Sequence, residues 1–167
     1  WTLDAAPARE HGSERLRLAA TMLALASMQV EPNIRLPQAI NWALQKRWIA
    51  IGGAERAMLA AAIAANGNQL DLDARVRALA SEEALDEAIK WGLALRLARR
   101  LGAGSRRSLN KSRLVLEDKA LVLRLATSHA ALSCGPVEKD MKLLSGRLGL
   151  TPRVDIVTDE ALRLTEE

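Results

Sequence analysis

The sequence predicts a mainly α-helical fold that closes in a small αβ element. Three observations carry this. Ala (30) and Leu (29) are the commonest of the 167 residues, and they are the two that cost a helix least. Pro (5) and Gly (10) are sparse. Apolar positions recur at helical spacing over 13–104, and short alternating or continuous apolar runs appear only from about residue 112.

The elements follow in order. Residues 1–12 carry no periodicity and are expected to be irregular. Ser13 can cap a helix running to about Gln29, with Leu16, Ala19, Ala20, Leu23 and Ala26 on one face. Val30–Leu36, with Pro32 and Asn33, breaks it. A second helix is expected after Pro37, with Ile40, Ala43, Leu44 and Ile51 apolar and Gly52-Gly53 ending it. A third covers about 54–65 and stops at Asn66-Gly67-Asn68. Its alanine-rich stretch Ala60–Ala65 allows very close packing. A short helix after Asp71 is possible on pattern. Ser81-Glu82-Glu83 then opens the longest helix, about 82–102, with acids in its first turn and Arg96, Arg99 and Arg100 near its end. Gly102 and Gly104 end it.

The period then changes. Arg113–Leu116 and Leu121–Leu125 flank Glu117-Asp118-Lys119-Ala120 as a β-hairpin. Pro136 opens a helix to about Leu148, with Val137, Met141, Leu144 and Leu148 on one stripe and Gly149 as its cap. Pro152–Val157 is a strand, and 158–165 a short charged helix. The expected layout is an irregular segment 1–12, a helical block 13–104, a small αβ block 105–157 packed on it, and a tail 158–167.

Composition bounds function. Hydrophobic residues make 49% and charged residues 26%, which is globular and not disordered. The single cysteine, Cys134, allows no intrachain disulfide and fits a reducing cytoplasm, the expected location. No apolar run approaches the roughly 18 residues a membrane helix needs, and no secretory signal is visible. The chain begins at Trp1, as expected of a piece of a longer protein. With four Trp, no Tyr and no Phe, it lacks the aromatic platforms that stack single-stranded bases. The four indoles, Trp42, Trp48 and Trp91 among them, are expected in packing.

Catalytic motifs are absent. A metal site at His11 or His129 would need further ligands; Asp4 and Glu10 flank His11, but a lone surface histidine is the plainer reading. Gly102-Ala103-Gly104 follows a helix rather than a strand, which suits a helix cap better than a phosphate loop. Cys134 has no adjacent base. One feature exceeds background: Arg96, Arg99, Arg100, Arg106, Arg107, Lys111 and Arg113 follow one another without an acid. Arg96, Arg99 and Arg100 share a helix face, and the next three are expected in a Gly/Ser-rich loop. Guanidinium forks match phosphate oxygens. The same cluster also suits a cation-compensated helix end and a solvated loop. A smaller set, Arg35, Lys46, Arg47 and Arg56, surrounds the second and third helices. The net charge of +4 permits a polyanionic partner without requiring one.

The order of certain segments carries a resemblance. Glu14-Arg15-Leu16-Arg17-Leu18-Ala19-Ala20 leads into Met22-Leu23-Ala24, followed by Trp48-Ile49-Ala50-Ile51-Gly52-Gly53-Ala54-Glu55-Arg56-Ala57. Gly92-Leu93-Ala94-Leu95-Arg96-Leu97-Ala98 precedes Gly102 and the hairpin, and Leu148-Gly149-Leu150-Thr151-Pro152 precedes the last strand. In this order, over about 12–157, they resemble the C-terminal helical domain of the exopolyphosphatase and guanosine pentaphosphate phosphohydrolase family. The resemblance implies a degenerate HD-domain-like helical bundle. It implies two actin-like catalytic domains upstream, with a divalent metal such as magnesium serving those domains and no cofactor in this chain. It also implies polyphosphate lying along basic surface, and a homodimer. Where such relatives carry remnants of a His-Asp pair, this chain has Leu23-Ala24-Leu25-Ala26-Ser27 and Asn41-Trp42-Ala43-Leu44, with no His or Asp. Metal-dependent hydrolysis needs those ligands, so no catalytic residue is assigned.

The expected function is that of an accessory domain of a phosphohydrolase, not active alone, binding polyphosphate through the seven basic residues or supporting dimerisation. A purely structural helical domain and a helical nucleic-acid-binding module are the alternatives. Preference between polyphosphate and guanosine pentaphosphate is left open.

Overall fold

The structure, a computed structural model, describes residues 1–9, 13–102 and 105–163. His11, Gly104 and the end of the tail lie outside them. The fold is mainly helical with one small sheet, and two compact units divide it, Ala6–Leu95 and Trp1–Ala5 with the chain from Arg96 onward.

In the unit Ala6–Leu95, α1 (Ser13–Ala26) buries Leu16, Ala20, Leu23 and Ala24. The expected face is confirmed at Leu16, Ala20 and Leu23, but Ala26 is exposed. A 3-10 turn, Ser27–Gln29, follows.

The second helix differs at both ends from its expected span. α2 (Pro32–Gln45) starts at Pro32 and carries Pro37 inside it. Pro32 sits in the first turn, where a missing N–H costs nothing. The helix stops at Gln45, and two later side chains hydrogen-bond carbonyls at its end. Trp48 Nε1 donates to the carbonyls of Trp42 and Ala43 at 3.2 and 3.0 Å. Arg56 Nη1 donates to those of Leu44 and Lys46 at 2.9 and 2.8 Å. Trp48 and Ile51 therefore lie beyond the helix.

α3 (Gly53–Asn66) opens with Glu55 reaching back to the Gly52 amide, and Ala57–Asn66 is buried throughout. The short α4 (Ala74–Arg77) is capped by Asp73, whose carboxylate accepts from the Arg75 amide. α5 (Glu82–Gly102) matches its expected bounds, with Ser81 Oγ accepting from the Ala84 amide at 3.2 Å. A Cβ on Gly92 would run into the Ala62 carbonyl oxygen and lie 2.7 Å from the Ala65 Cβ. The alanine run of α3 and this glycine thus let two helix backbones meet, the close packing expected of that run. Trp91 is buried, its Nε1 donating to the Pro7 carbonyl at 3.1 Å.

The other unit takes the last turns of α5, then α6 (Arg106–Asn110), β1 (Ser112–Glu117), β2 (Ala120–Ala126), a 3-10 segment Thr127–Leu132, α7 (Gly135–Leu148), β3 (Thr151–Val157) and α8 (Asp159–Arg163). The sheet order is β1-β2-β3, with β1 antiparallel and β3 parallel to β2. Asp118 turns the hairpin with φ of 46°, a conformation short polar side chains tolerate. The parallel step needs a crossover, which α7 supplies. Leu121, Val122, Leu123 and Leu125 of the central strand are fully buried, as are Met141 and Leu144 of α7. Gly149 caps α7 at φ of 71°, as expected. The first residue is tied in rather than loose: Trp1 Nε1 donates to Ser112 Oγ at 2.9 Å.

Candidate anion-binding site

The seven basic residues all fall in the unit that holds the sheet. That unit has 14 Lys and Arg against 10 Asp and Glu, so it carries the whole +4, while Ala6–Leu95 is balanced at ten of each. Placement within the unit sorts the seven into distinct roles.

Arg96 and Arg100 lie four residues apart on α5, among the buried Leu93, Leu97 and Leu101. Both reach one carboxylate. Arg96 Nε donates to Asp140 Oδ1 at 2.8 Å and Arg100 Nε to Asp140 Oδ2 at 2.5 Å. The Asp140 side chain is 1% exposed, against 20% for Arg96 and 37% for Arg100. Burying such a carboxylate is costly unless it is paired and hydrogen-bonded, and the two guanidiniums meet that condition. Among the described residues Nε is the only atom of the Arg100 guanidinium that makes a hydrogen bond.

Arg106 and Arg107 open α6, not a loop as the Gly/Ser content suggests. Ser105 caps it, its Oγ accepting from the Arg107 amide at 3.1 Å. Leu109 lies beside Gly102, its Cγ 3.4 Å from the ideal Cβ and so at van der Waals distance, which shows that α6 folds back on the end of α5. Both arginines are exposed and make no side-chain ion pair among the described residues. Lys111 is engaged: its Nζ donates to Asp159 Oδ1 at 2.5 Å, and Ser128 Oγ donates to the same oxygen at 3.1 Å. The Lys111 contact, aided by Ser128 and opposed by partial burial, holds the Asp159 carboxyl below its ordinary range. Arg113 donates to the Ser112 carbonyl. Arg99 is half-buried on α5.

Three of the four residues in the smaller basic set have structural work. Arg56 caps α2, Arg35 Nε donates to the Val30 carbonyl at 3.1 Å, and Lys46 lies 4.9 Å from the Trp42 ring centroid, a cation–π distance. His129 Nδ1 meets Ser128 Oγ at 3.0 Å. Among the described residues no group of three or more His, Cys, Asp and Glu is arranged to hold a metal ion, and no helix is long and apolar enough to cross a membrane.

Asp140 is the residue the sequence reading missed. A signal existed: it sits three residues after Val137 and four before Leu144, inside the apolar stripe of α7. A lone acid there calls for a buried cation.

Comparison with known proteins adds no family: no family model matches the chain, and no curated protein matches it. The protein is defined by its architecture, a mainly helical chain with a three-stranded mixed sheet and a cationic edge on the sheet-bearing unit.

Proposed function

We propose that the chain is a non-catalytic domain that holds a phosphate polyanion, of the polyphosphate type, on the cationic edge where α5 ends and α6 begins. The observation that carries this is the contrast, among the described residues, between cations paired with carboxylates and cations that are not. Arg96 and Lys111 are used internally, whereas Arg100 keeps its Nη edge and Arg106 and Arg107 stand exposed with no acid between Glu87 and Glu117. Adjacent guanidiniums suit the closely spaced oxyanions of a phosphate chain. The resemblance to the C-terminal domain of exopolyphosphatase-type phosphohydrolases supports the same reading. On it, the helical block corresponds to the degenerate HD-like bundle, the catalytic domains lie elsewhere in the parent protein, and the domain pairs as a homodimer.

The test is calorimetric titration of the chain with long-chain polyphosphate, with duplex DNA of equal total charge as competitor. The expected result is tighter binding to polyphosphate. Preference for DNA would favour a nucleic-acid module, and binding to neither would leave a structural domain with solvated charges.

A further inference from the structure

We propose that Asp140 is a positioning residue for anion binding. It aims Arg96 and Arg100 as well as neutralising them. This rests on the proposed function above and adds to it how the site selects its ligand.

The geometry is specific. Each guanidinium meets Asp140 through Nε, at 2.8 Å for Arg96 and 2.5 Å for Arg100. A guanidinium is a planar fork, so fixing Nε fixes the plane and the direction of both Nη groups. Arg100 is thereby held at one edge, with the Nη side left for another acceptor. The carboxylate that holds it is buried and belongs to α7, a different element packed on the sheet. An exposed arginine loses rotamer freedom when it grips a phosphate. Arg100 has given up much of that freedom before any ligand arrives, and preorganisation of this kind favours binding. Among the described residues Arg106 and Arg107 have no such anchor. The site thus combines one oriented fork with two exposed ones, an arrangement for a phosphate oxyanion seated at Arg100 and a following chain of phosphates gathered by α6.

Charge alone makes the opposite prediction, which allows a clean test. Asp140→Asn removes a negative charge beside two arginines, so long-range electrostatics would tighten polyanion binding. Positioning requires it to weaken. The experiment titrates wild type, Asp140→Asn and Arg100→Lys with polyphosphate at one salt concentration, with circular dichroism and thermal melting as checks of the fold. Asp140→Asn is expected to bind about tenfold more weakly, the scale of one charge-assisted hydrogen bond. Arg100→Lys keeps the charge, but its single ammonium cannot be held by Asp140 at one edge and offer a fork at the other. It is expected to lose a similar factor. Because Arg100 is the more exposed of the two arginines and Lys keeps the positive charge beside Asp140, this variant reports on the proposal even if Asp140→Asn fails to fold. Wild-type affinity in Arg100→Lys, or equal or tighter binding by a folded Asp140→Asn, would overturn the positioning role while leaving polyphosphate binding intact. Absence of binding by wild type would instead sink the proposed function on which it rests.

Discussion

Replacing Gly92 with alanine should destabilise the protein, although glycine-to-alanine changes inside helices are usually favourable. The helix itself would gain up to about 1 kcal/mol from the better helix former. Packing opposes this. A Cβ at position 92 meets the Ala62 carbonyl oxygen, lies 2.9 Å from the Ala62 carbonyl carbon and 2.7 Å from the Ala65 Cβ. Two of these are backbone atoms of α3, and the third is fixed to backbone, so no flexible side chain can swing away. Overpacking a rigid site costs about 1–3 kcal/mol and occasionally more. Here the top of that range applies, leaving a net loss of about 2 kcal/mol. Gly146 is the internal control: it is exposed on α7 with nothing within 4 Å of its ideal Cβ, so Gly146→Ala should stabilise by up to about 1 kcal/mol. Urea unfolding of the three proteins, followed by circular dichroism, gives both signs in one experiment. A Gly92→Ala protein as stable as wild type would refute the close approach of α3 and α5.

The remaining predictions concern the other unit. Leu144 is fully buried, so Leu144→Ala should cost about 2–5 kcal/mol through lost burial and a cavity, and a loss well under 1 kcal/mol in urea unfolding would misplace that face of α7. Asp159 titrates below its ordinary range chiefly through Lys111. A carboxyl depressed in the folded state contributes stability above its unfolded pKa and loses it as the pH falls through the folded one. Carboxyl ¹³C NMR should therefore place the Asp159 midpoint below that of a free aspartate, and Lys111→Ala should raise it; an unmoved midpoint would remove the contact. Reversing Arg106 and Arg107 to Glu should abolish polyphosphate binding while the melting temperature stays within a few degrees, since neither side chain has a structural partner among the described residues. Reversal of Arg100 is the poorer test, because it would set a second carboxylate against buried Asp140.

Local signals carried much of the fold. The acids after Ser81 and the glycine at 102 bound α5, and Pro136 with Gly149 bounds α7, because caps act within one turn. The end of α2 was not legible in the same way. Its carbonyls are satisfied by Trp48 and Arg56, side chains placed by tertiary structure, and the apolar Ile51 made the helix look longer. Pro37 looked like a start because a proline inside a helix is costly, yet Pro32 already filled the first turn. The candidate site was half legible. A run of cations shows in any sequence, but which are spent on internal carboxylates depends on contacts from α5 to α7 and from Lys111 to α8. Asp140 and Asp159, distant along the chain, decide that division.

The most direct measurement is titration of the wild-type chain with long-chain polyphosphate at 50 and 200 mM salt. If Arg100, Arg106 and Arg107 each meet one phosphate, affinity should fall roughly 20-fold between the two, by analogy with counterion release from a single strand. That fall is the result expected here. No binding at 50 mM, or binding indifferent to salt, would contradict the claim that this edge holds a phosphate chain.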